Sequence, residues 1–151
     1  MPIATSKLGH LVLRVRDLDR SERFYTDVLG LKKAGGIPGV MSFFTTQSNS
    51  DSHDLALMRV GPEAPTPDPR GVGLYHFAYQ VDSEEALADA YRTLQEAGVP
   101  ITGTGDHGVS KGIYITDPDG IEIEITYEVP PEQWPEGADP FAAGTKPLVL
   151  A

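Results

Sequence analysis

The sequence repeats the stretch GHLVLRVRD (residues 9–17) as YHFAYQVD (residues 75–82). In each copy a histidine is followed by four mostly apolar residues and then by a valine. Alternating apolar positions that are rich in β-branched and aromatic residues predict a half-buried β-strand. The chain is therefore expected to contain two related halves, each of which begins with a strand that carries a histidine.

A helix is predicted after each of these two strands. The first helix spans about residues 19–29 and is expected to end at Gly30, because glycine readily adopts the left-handed conformation that closes a helix. The second helix is expected to begin at Asp82 and Glu85, which have the spacing of a capping box, and to end at Gly98. The two halves thus continue with the same plan.

Short strand-like runs follow each helix and complete the plan βαβββ in both halves, which predicts the α+β class. These runs are residues 40–46, 54–60, 112–116 and 121–127. A chain of 151 residues has the usual size of one domain. A single domain over residues 1–151 is therefore expected.

Within this domain we expect four segments. The first repeat covers about residues 7–60, and the second about residues 74–127. The segment 61–73 separates them, because it is rich in proline and glycine and cannot continue a central strand. The tail, residues 128–151, has no sustained periodicity, and its expected anchors are Trp134 and Phe141.

Composition and charge exclude several kinds of site and partner. The chain has no cysteine, so disulfides, thiolate-bound metals and thiol nucleophiles are excluded, and a metal must bind through nitrogen and oxygen. The formal charge of −10 argues against a nucleic-acid partner. No apolar run approaches the roughly 20 residues that span a bilayer. The start, MPIATSKLGH, lacks the features of a secretory signal, so the expected location is cytoplasmic.

Candidate metal ligands come from the repeat and from the segment DPDGIEIEI (residues 117–125). His10 and His76 occupy equivalent positions in the two halves, and a pseudo-twofold axis would let them converge on one ion. Alternation after the Asp-Pro-Asp-Gly turn puts Glu122 and Glu124 on one face of a strand. The residues alone leave open which glutamate is the ligand, and they favour a solvated position for Glu122.

The chain resembles the vicinal-oxygen-chelate superfamily, which includes glyoxalase I, extradiol ring-cleaving dioxygenases and antibiotic-binding resistance proteins. The resemblance covers about residues 7–127 and is carried by GHLVLRVRDLDRSERFYTDVLGLK (9–32), YHFAYQV (75–81) and DPDGIEIE (117–124). It implies that the two βαβββ units form a curled sheet cradle around a metal, with the helices outside. It also implies that the metal ligands are His10, His76 and Glu124.

Glyoxalase I normally has a fourth protein ligand, a glutamate, at the position aligned with Ala56. Alanine cannot bind a metal, and the remaining two histidines and one carboxylate are typical of oxygen-activating non-haem iron(II). The similarity to catechol-type extradiol dioxygenases implies that His53 is the acid–base catalyst. It also implies that His107 and Tyr114 hydrogen-bond the hydroxyl groups of the substrate. Tyr114 faces the same side as Glu124 if a five-residue loop, Asp117 to Ile121, joins their strands, whereas a four-residue loop would reverse this.

The expected function is therefore Fe(II)-dependent ring cleavage of a catechol-like diol with O2, in a homodimer. Manganese, zinc and nickel are alternative metals. One alternative function is that of a glyoxalase-like isomerase or lyase, against which Ala56 argues. The other is that of a metal-free drug-binding resistance protein, against which the presence of all three ligand residues argues.

Overall fold

The computed structural model describes residues 1–150, which form two compact units. The first unit comprises Met1–Thr66 and the second begins at Pro67, within the segment 61–73 that was predicted to separate the repeats. None of the helices in residues 1–150 has the length and apolar character needed to cross a membrane. The division of the chain into two units follows its internal repeat.

The first unit contains one helical segment and a four-stranded sheet. Its elements are β1 (Leu11–Val15), α1 (Leu18–Arg23), a π-helical turn (Phe24–Val28), β2 (Lys32–Ile37), β3 (Met41–Thr45) and β4 (Leu55–Arg59). The strand order is β1-β4-β3-β2, in which β1 and β4 are parallel and the other pairs are antiparallel.

The second unit repeats this topology. Its elements are β5 (Phe77–Gln80), α2 (Glu84–Glu96), β6 (Ile101–Asp106), β7 (Ser110–Thr116) and β8 (Glu122–Glu128). The strand order is β5-β8-β7-β6, and β5 and β8 form the parallel pair. Two short 3₁₀ turns, Pro131–Gln133 and Pro140–Ala143, follow the sheet. The predicted α+β class and the two tandem βαβββ units are confirmed.

One face of each sheet is apolar and buried. In the first unit the buried side chains include Val15, Tyr25, Phe44, Leu55 and Leu57, and in the second Leu87, Leu94, Ile113, Ile115 and Ile123. Since side chains alternate along a strand, the neighbouring positions point to the opposite face. That opposite face carries the candidate site residues of β7 and β8.

The strand pairing also shows which positions are equivalent in the two units. Ala56 on β4 pairs with Val12 on β1 and Phe43 on β3. Glu124 on β8 pairs with Ala78 on β5 and Tyr114 on β7 in the same way. Ala56 therefore occupies in the first unit the position that Glu124 occupies in the second.

The C-terminal ends of the helices were predicted from the sequence more accurately than their N-terminal starts. Gly30 and Gly98 both have positive φ, 69° and 67°, as expected for left-handed residues that close a helix. The second helix, however, is capped by Ser83 and not by Asp82. The Ser83 hydroxyl accepts a hydrogen bond from the Ala86 backbone N–H at 3.1 Å.

Two strands, β2 and β6, were not among the runs predicted from the sequence. Their sequences, KKAGGI and ITGTGD, are rich in glycine, which has low strand propensity and hides the alternation. Both strands pair antiparallel with the next strand of their unit, and both pairings contain a register shift. Tertiary pairing therefore decides their conformation.

The Ser83 cap provides a test of the corrected helix start. Ser83→Ala is expected to lower the free energy of unfolding by about 1 kcal/mol, because the Ala86 N–H loses its side-chain acceptor. Asp82→Ala serves as the control and should change stability little. Urea denaturation followed by circular dichroism measures both, and a larger loss for Asp82→Ala would contradict the assigned cap.

Candidate metal centre

Glu124 lies at the middle of β8, and its residue surface is 8% exposed. The β7–β8 register sets Glu124 directly opposite Tyr114. The connection is the five-residue loop 117–121, in which the Asp117 carboxylate accepts hydrogen bonds from the backbone N–H groups of Asp119 and Ile121 at 2.8 and 2.9 Å. The predicted condition for Tyr114 and Glu124 to share a face is therefore confirmed.

His76 lies immediately before β5 and faces the Glu124 carboxylate, with 3.2 Å between His76 Nε2 and Glu124 Oε2. Two donors that bind one metal at right angles, each about 2.1 Å from it, lie about 3 Å apart. The observed separation is thus compatible with both side chains binding one ion. Two of the three predicted ligands meet in this unit.

Glu122 also contacts His76. Its Oε2 lies 3.2 Å from His76 Nδ1, and only 30% of its side chain is exposed. The expectation of a simply solvated glutamate is therefore wrong. A carboxylate that receives the second N–H of a metal-binding histidine fixes the tautomer and raises the basicity of the ligand nitrogen. The sequence signal for this contact was the alternation that put both glutamates on one face.

Gly112, on β7, makes room for the Glu124 carboxylate. A Cβ atom at this position would overlap the Glu124 side chain, lying only 2.9 Å from its Cδ. No residue larger than glycine is compatible with the observed position of the carboxylate. The requirement for glycine here arises from the site and not from backbone strain, since Gly112 is not among the glycines with positive φ.

Tyr114 and His107 extend the polar cluster along β7 and the β6–β7 connection. The Tyr114 hydroxyl lies 2.8 Å from His107 Nε2, and Tyr114 is paired opposite Glu124 on β8. Burial, followed by the charge of Glu124, raises the pKa of Tyr114 to about 12. Tyr114 is therefore protonated at neutral pH and acts as a hydrogen-bond donor rather than as a base.

In the first unit, His10 and His53 lie together. Their ring centroids are 4.4 Å apart, and the edge of Phe43 packs against His53 at 5.2 Å. The Ser52 hydroxyl lies 2.8 Å from His53 Nδ1. The first unit thus brings a predicted metal ligand next to the predicted acid–base catalyst. The fully buried Ala56 adds no ligand.

Within residues 1–150, no set of three or more His, Asp and Glu side chains is arranged to hold a metal ion. His76 and Glu124 are close enough to share one. His10 belongs to the other unit, and its role as the third ligand stays a prediction.

Comparison with known proteins identifies a family. A sequence profile of the Glyoxalase/Bleomycin resistance protein/Dioxygenase superfamily matches residues 7–125. Among solved structures, a glyoxalase/dioxygenase from Nostoc punctiforme superposes with a TM-score of 0.69 at 25% identity, covering 86% of this chain and 99% of that one.

Curated relatives include both ring-cleaving and glyoxalase-type enzymes. The biphenyl-2,3-diol 1,2-dioxygenase 3 of Rhodococcus globerulus is 34% identical over 85% of this chain and 68% of its own length. The catechol-2,3-dioxygenase of Bacillus subtilis is 32% identical over 84% of this chain, which spans less than half, 43%, of that enzyme. A probable lactoylglutathione lyase of Vibrio parahaemolyticus is 29% identical over 82% of this chain and 91% of its own length.

The contact between Glu122 and His76 predicts an effect on metal affinity. Glu122→Gln is expected to weaken binding about 10- to 100-fold, because the His76 ring loses its carboxylate partner. Calorimetric titration with Zn(II) measures the affinity. Glu128→Gln makes the same charge change on the exposed end of the same strand and should have little effect. If both variants lost the same Zn(II) affinity, the effect of Glu122 would be explained by the overall charge of the protein and not by its contact with His76.

The close approach at Gly112 predicts a second effect. Gly112→Ala is expected to displace the Glu124 carboxylate and to lower Zn(II) affinity by at least about tenfold. Gly103→Ala, on the neighbouring strand, is the matched control, because its Cβ would meet Tyr114 only at 3.8 Å, an ordinary contact. Circular dichroism verifies that both variants fold. An unchanged affinity in folded Gly112→Ala would rule out Glu124 as a ligand in the observed position.

Proposed function

Because the chain belongs to the Glyoxalase/Bleomycin resistance protein/Dioxygenase superfamily, we propose that it is an Fe(II)-dependent extradiol dioxygenase that opens the ring of a catechol-like diol. The observation that carries the proposal is one polar cluster in the second unit. In it His107 contacts Tyr114 and His76 contacts Glu124, and Tyr114 and Glu124 are paired opposite each other. It provides hydrogen-bonding groups for a diol next to His76 and Glu124, the two proposed metal ligands of this unit. The similarity to two diol dioxygenases supports it.

His10, His76 and Glu124 would hold the metal, and the contact between His76 and Glu124 fits this role. When bound, Fe(II) supplies open coordination positions for a chelating diol and O2 and acidifies the diol hydroxyls. The single carboxylate leaves the centre with a net positive charge, which favours an anionic chelating oxygen. Glu122 supports the set by holding the ring of His76.

His107 and Tyr114 would orient the diol. Tyr114 is protonated at neutral pH and so has a proton to donate to a diol oxygen. His107 lies at hydrogen-bond distance from the same hydroxyl and can add a second donor. Two donors directed at the ring oxygens suit a diol that has lost a proton, because an anionic oxygen accepts hydrogen bonds and donates none.

His53 would transfer protons during the reaction. Its ring lies beside that of His10, so it is adjacent to a proposed metal ligand without being required as one. The imidazole group suits proton transfer near neutral pH. In the overall reaction both oxygen atoms of O2 enter the product and one ring C–C bond beside a hydroxyl breaks. The product is a ring-opened hydroxymuconic-type acid or aldehyde.

The second candidate function is that of a glyoxalase-like isomerase or lyase with zinc, nickel or manganese, and the Vibrio relative favours it. The family resemblance argues against it, because it aligns the fourth ligand of glyoxalase I with the buried Ala56, which cannot bind a metal. A metal-free drug-binding role would leave unexplained why His76 and Glu124 face each other.

The activity itself provides the first test. The full chain, reconstituted anaerobically with Fe(II), is expected to consume O2 and form a yellow ring-opened product with at least one member of a panel of substituted catechols. An O2 electrode and visible absorbance measure the two effects. Turnover of a glutathione–methylglyoxal adduct by the zinc or nickel form, with no diol cleaved by the iron form, would contradict the proposal and establish the lyase.

The role of His53 provides the second test. His53→Ala is expected to retain Fe(II) and to lose about 10²- to 10⁴-fold in turnover, because proton transfer loses its acid–base group. Iron content measured by absorption spectroscopy separates this outcome from metal loss. Unchanged turnover would remove His53 from the mechanism, and loss of iron would make it a ligand.

A further inference from the structure

The chain after β8 folds back onto the β6–β7 connection. The Trp134 indole N–H donates to the Val129 carbonyl at 2.7 Å. Pro135 covers Gly108 so closely that a Cβ at Gly108 would overlap its ring. Asp106 and Lys146 form an isolated antiparallel bridge with backbone hydrogen bonds of 2.9 and 2.8 Å. The segment is thereby attached to the connection that carries His107.

Because this segment is held against the β6–β7 connection, Thr145 contacts the His107 ring. The Thr145 hydroxyl lies 2.9 Å from His107 Nδ1. The buried Gly105 lies beneath both side chains, and a Cβ there would be 2.9 Å from the Thr145 methyl carbon and 3.2 Å from His107 Cε1. A glycine at this position lets the threonine and the imidazole approach each other. The absence of a side chain at Gly105 therefore makes room for the contact between Thr145 and His107.

The negative charge of Glu124 determines the direction of the hydrogen bonds at Tyr114 and His107. Glu124 lies opposite Tyr114 on the same face of the sheet, and its negative charge favours the protonated phenol, so the Tyr114 hydroxyl proton is attracted toward the carboxylate. The Tyr114 oxygen then accepts from His107, which places the histidine proton on Nε2. A neutral His107 has its lone pair on Nδ1, and that nitrogen accepts from the Thr145 hydroxyl. The two hydrogen bonds of the His107 ring therefore run in one direction.

We propose that Thr145 is a positioning residue that holds His107 in the tautomer with its proton on Nε2, directed into the site. In this tautomer His107 presents a donor, rather than a lone pair, to an anionic substrate oxygen. The consequence for substrate binding rests on the proposed function, whereas the hydrogen-bond pattern does not. Residues far along the chain from the repeats thereby complete the site.

Nuclear magnetic resonance of the ¹⁵N-histidine-labelled full chain tests the hydrogen bonds without any assay of activity. The chain has four histidines, so substitution can assign the signals. In the metal-free wild type, His107 is expected to carry its proton on Nε2, with Nδ1 shifted as in a nitrogen that accepts a hydrogen bond. A proton on Nδ1 of the wild type would overturn the proposal, whatever the variants do.

Three variants separate the Thr145 hydroxyl from packing. Thr145→Val keeps the shape and is expected to move the Nδ1 signal toward that of a nitrogen without a hydrogen bond, while Thr145→Ser should restore it. Thr104→Val, at an exposed position of β6, is the matched control and should change nothing. If the His107 signals of folded Thr145→Val equal those of the wild type, the proposal is overturned.

A kinetic measurement on the iron-loaded enzyme then tests the consequence. Thr145→Val is expected to lower kcat/KM for a cleaved diol about fivefold, the usual effect of losing one hydrogen bond, with Thr145→Ser close to wild type. Equal kcat/KM in wild type and Thr145→Val would overturn the catalytic consequence. If no diol is cleaved at all, the proposed function fails, while the resonance experiment still decides the role of Thr145.

Discussion

The register between β7 and β8 determines which side chains can meet in the second unit. It sets Tyr114 opposite Glu124, and it depends on the five-residue loop whose turn is fixed by Asp117 and by Gly120, with φ of 85°. A shift of one residue would turn Glu124 toward the apolar face and bring Ile123 out of the core. Because Ile123 is fully buried, the core enforces the register that the polar cluster requires. Packing on one face thus positions the chemistry on the other.

The repeated plan of the fold was predictable because it rests on local signals. The histidine strands, the second helix and the closing glycines Gly30 and Gly98 all follow from periodicity and from backbone freedom. The strands β2 and β6 were not located, because their glycines obscure the alternation and pairing alone makes them extended. The helix start was misplaced by one residue, since adjacent Asp and Ser side chains are both good caps and only the chain path distinguishes them.

The candidate site was predictable only in part. The repeat pointed to His76 and the resemblance selected Glu124, and the structure brings these two residues together. The face of Tyr114 could not be predicted without the loop length, which the structure sets at five residues. The contact of Glu122 with His76 was missed because a sequence shows that two glutamates share a face but not which neighbour each one reaches. Thr145 was missed because its segment has no periodicity and reaches His107 through a single bridge between distant residues.

Anomalous X-ray diffraction from crystals of the Fe(II)- or Zn(II)-loaded chain tests most directly whether His10, His76 and Glu124 bind one ion. The predicted result is one strong anomalous peak per chain, about 2.0–2.3 Å from a nitrogen of each histidine and from a Glu124 oxygen. Glu122 is expected in contact with His76 and not with the metal. A peak bound by Glu122 or His53 in place of any of these three, or no peak near His76 in fully loaded crystals, would contradict the proposed centre.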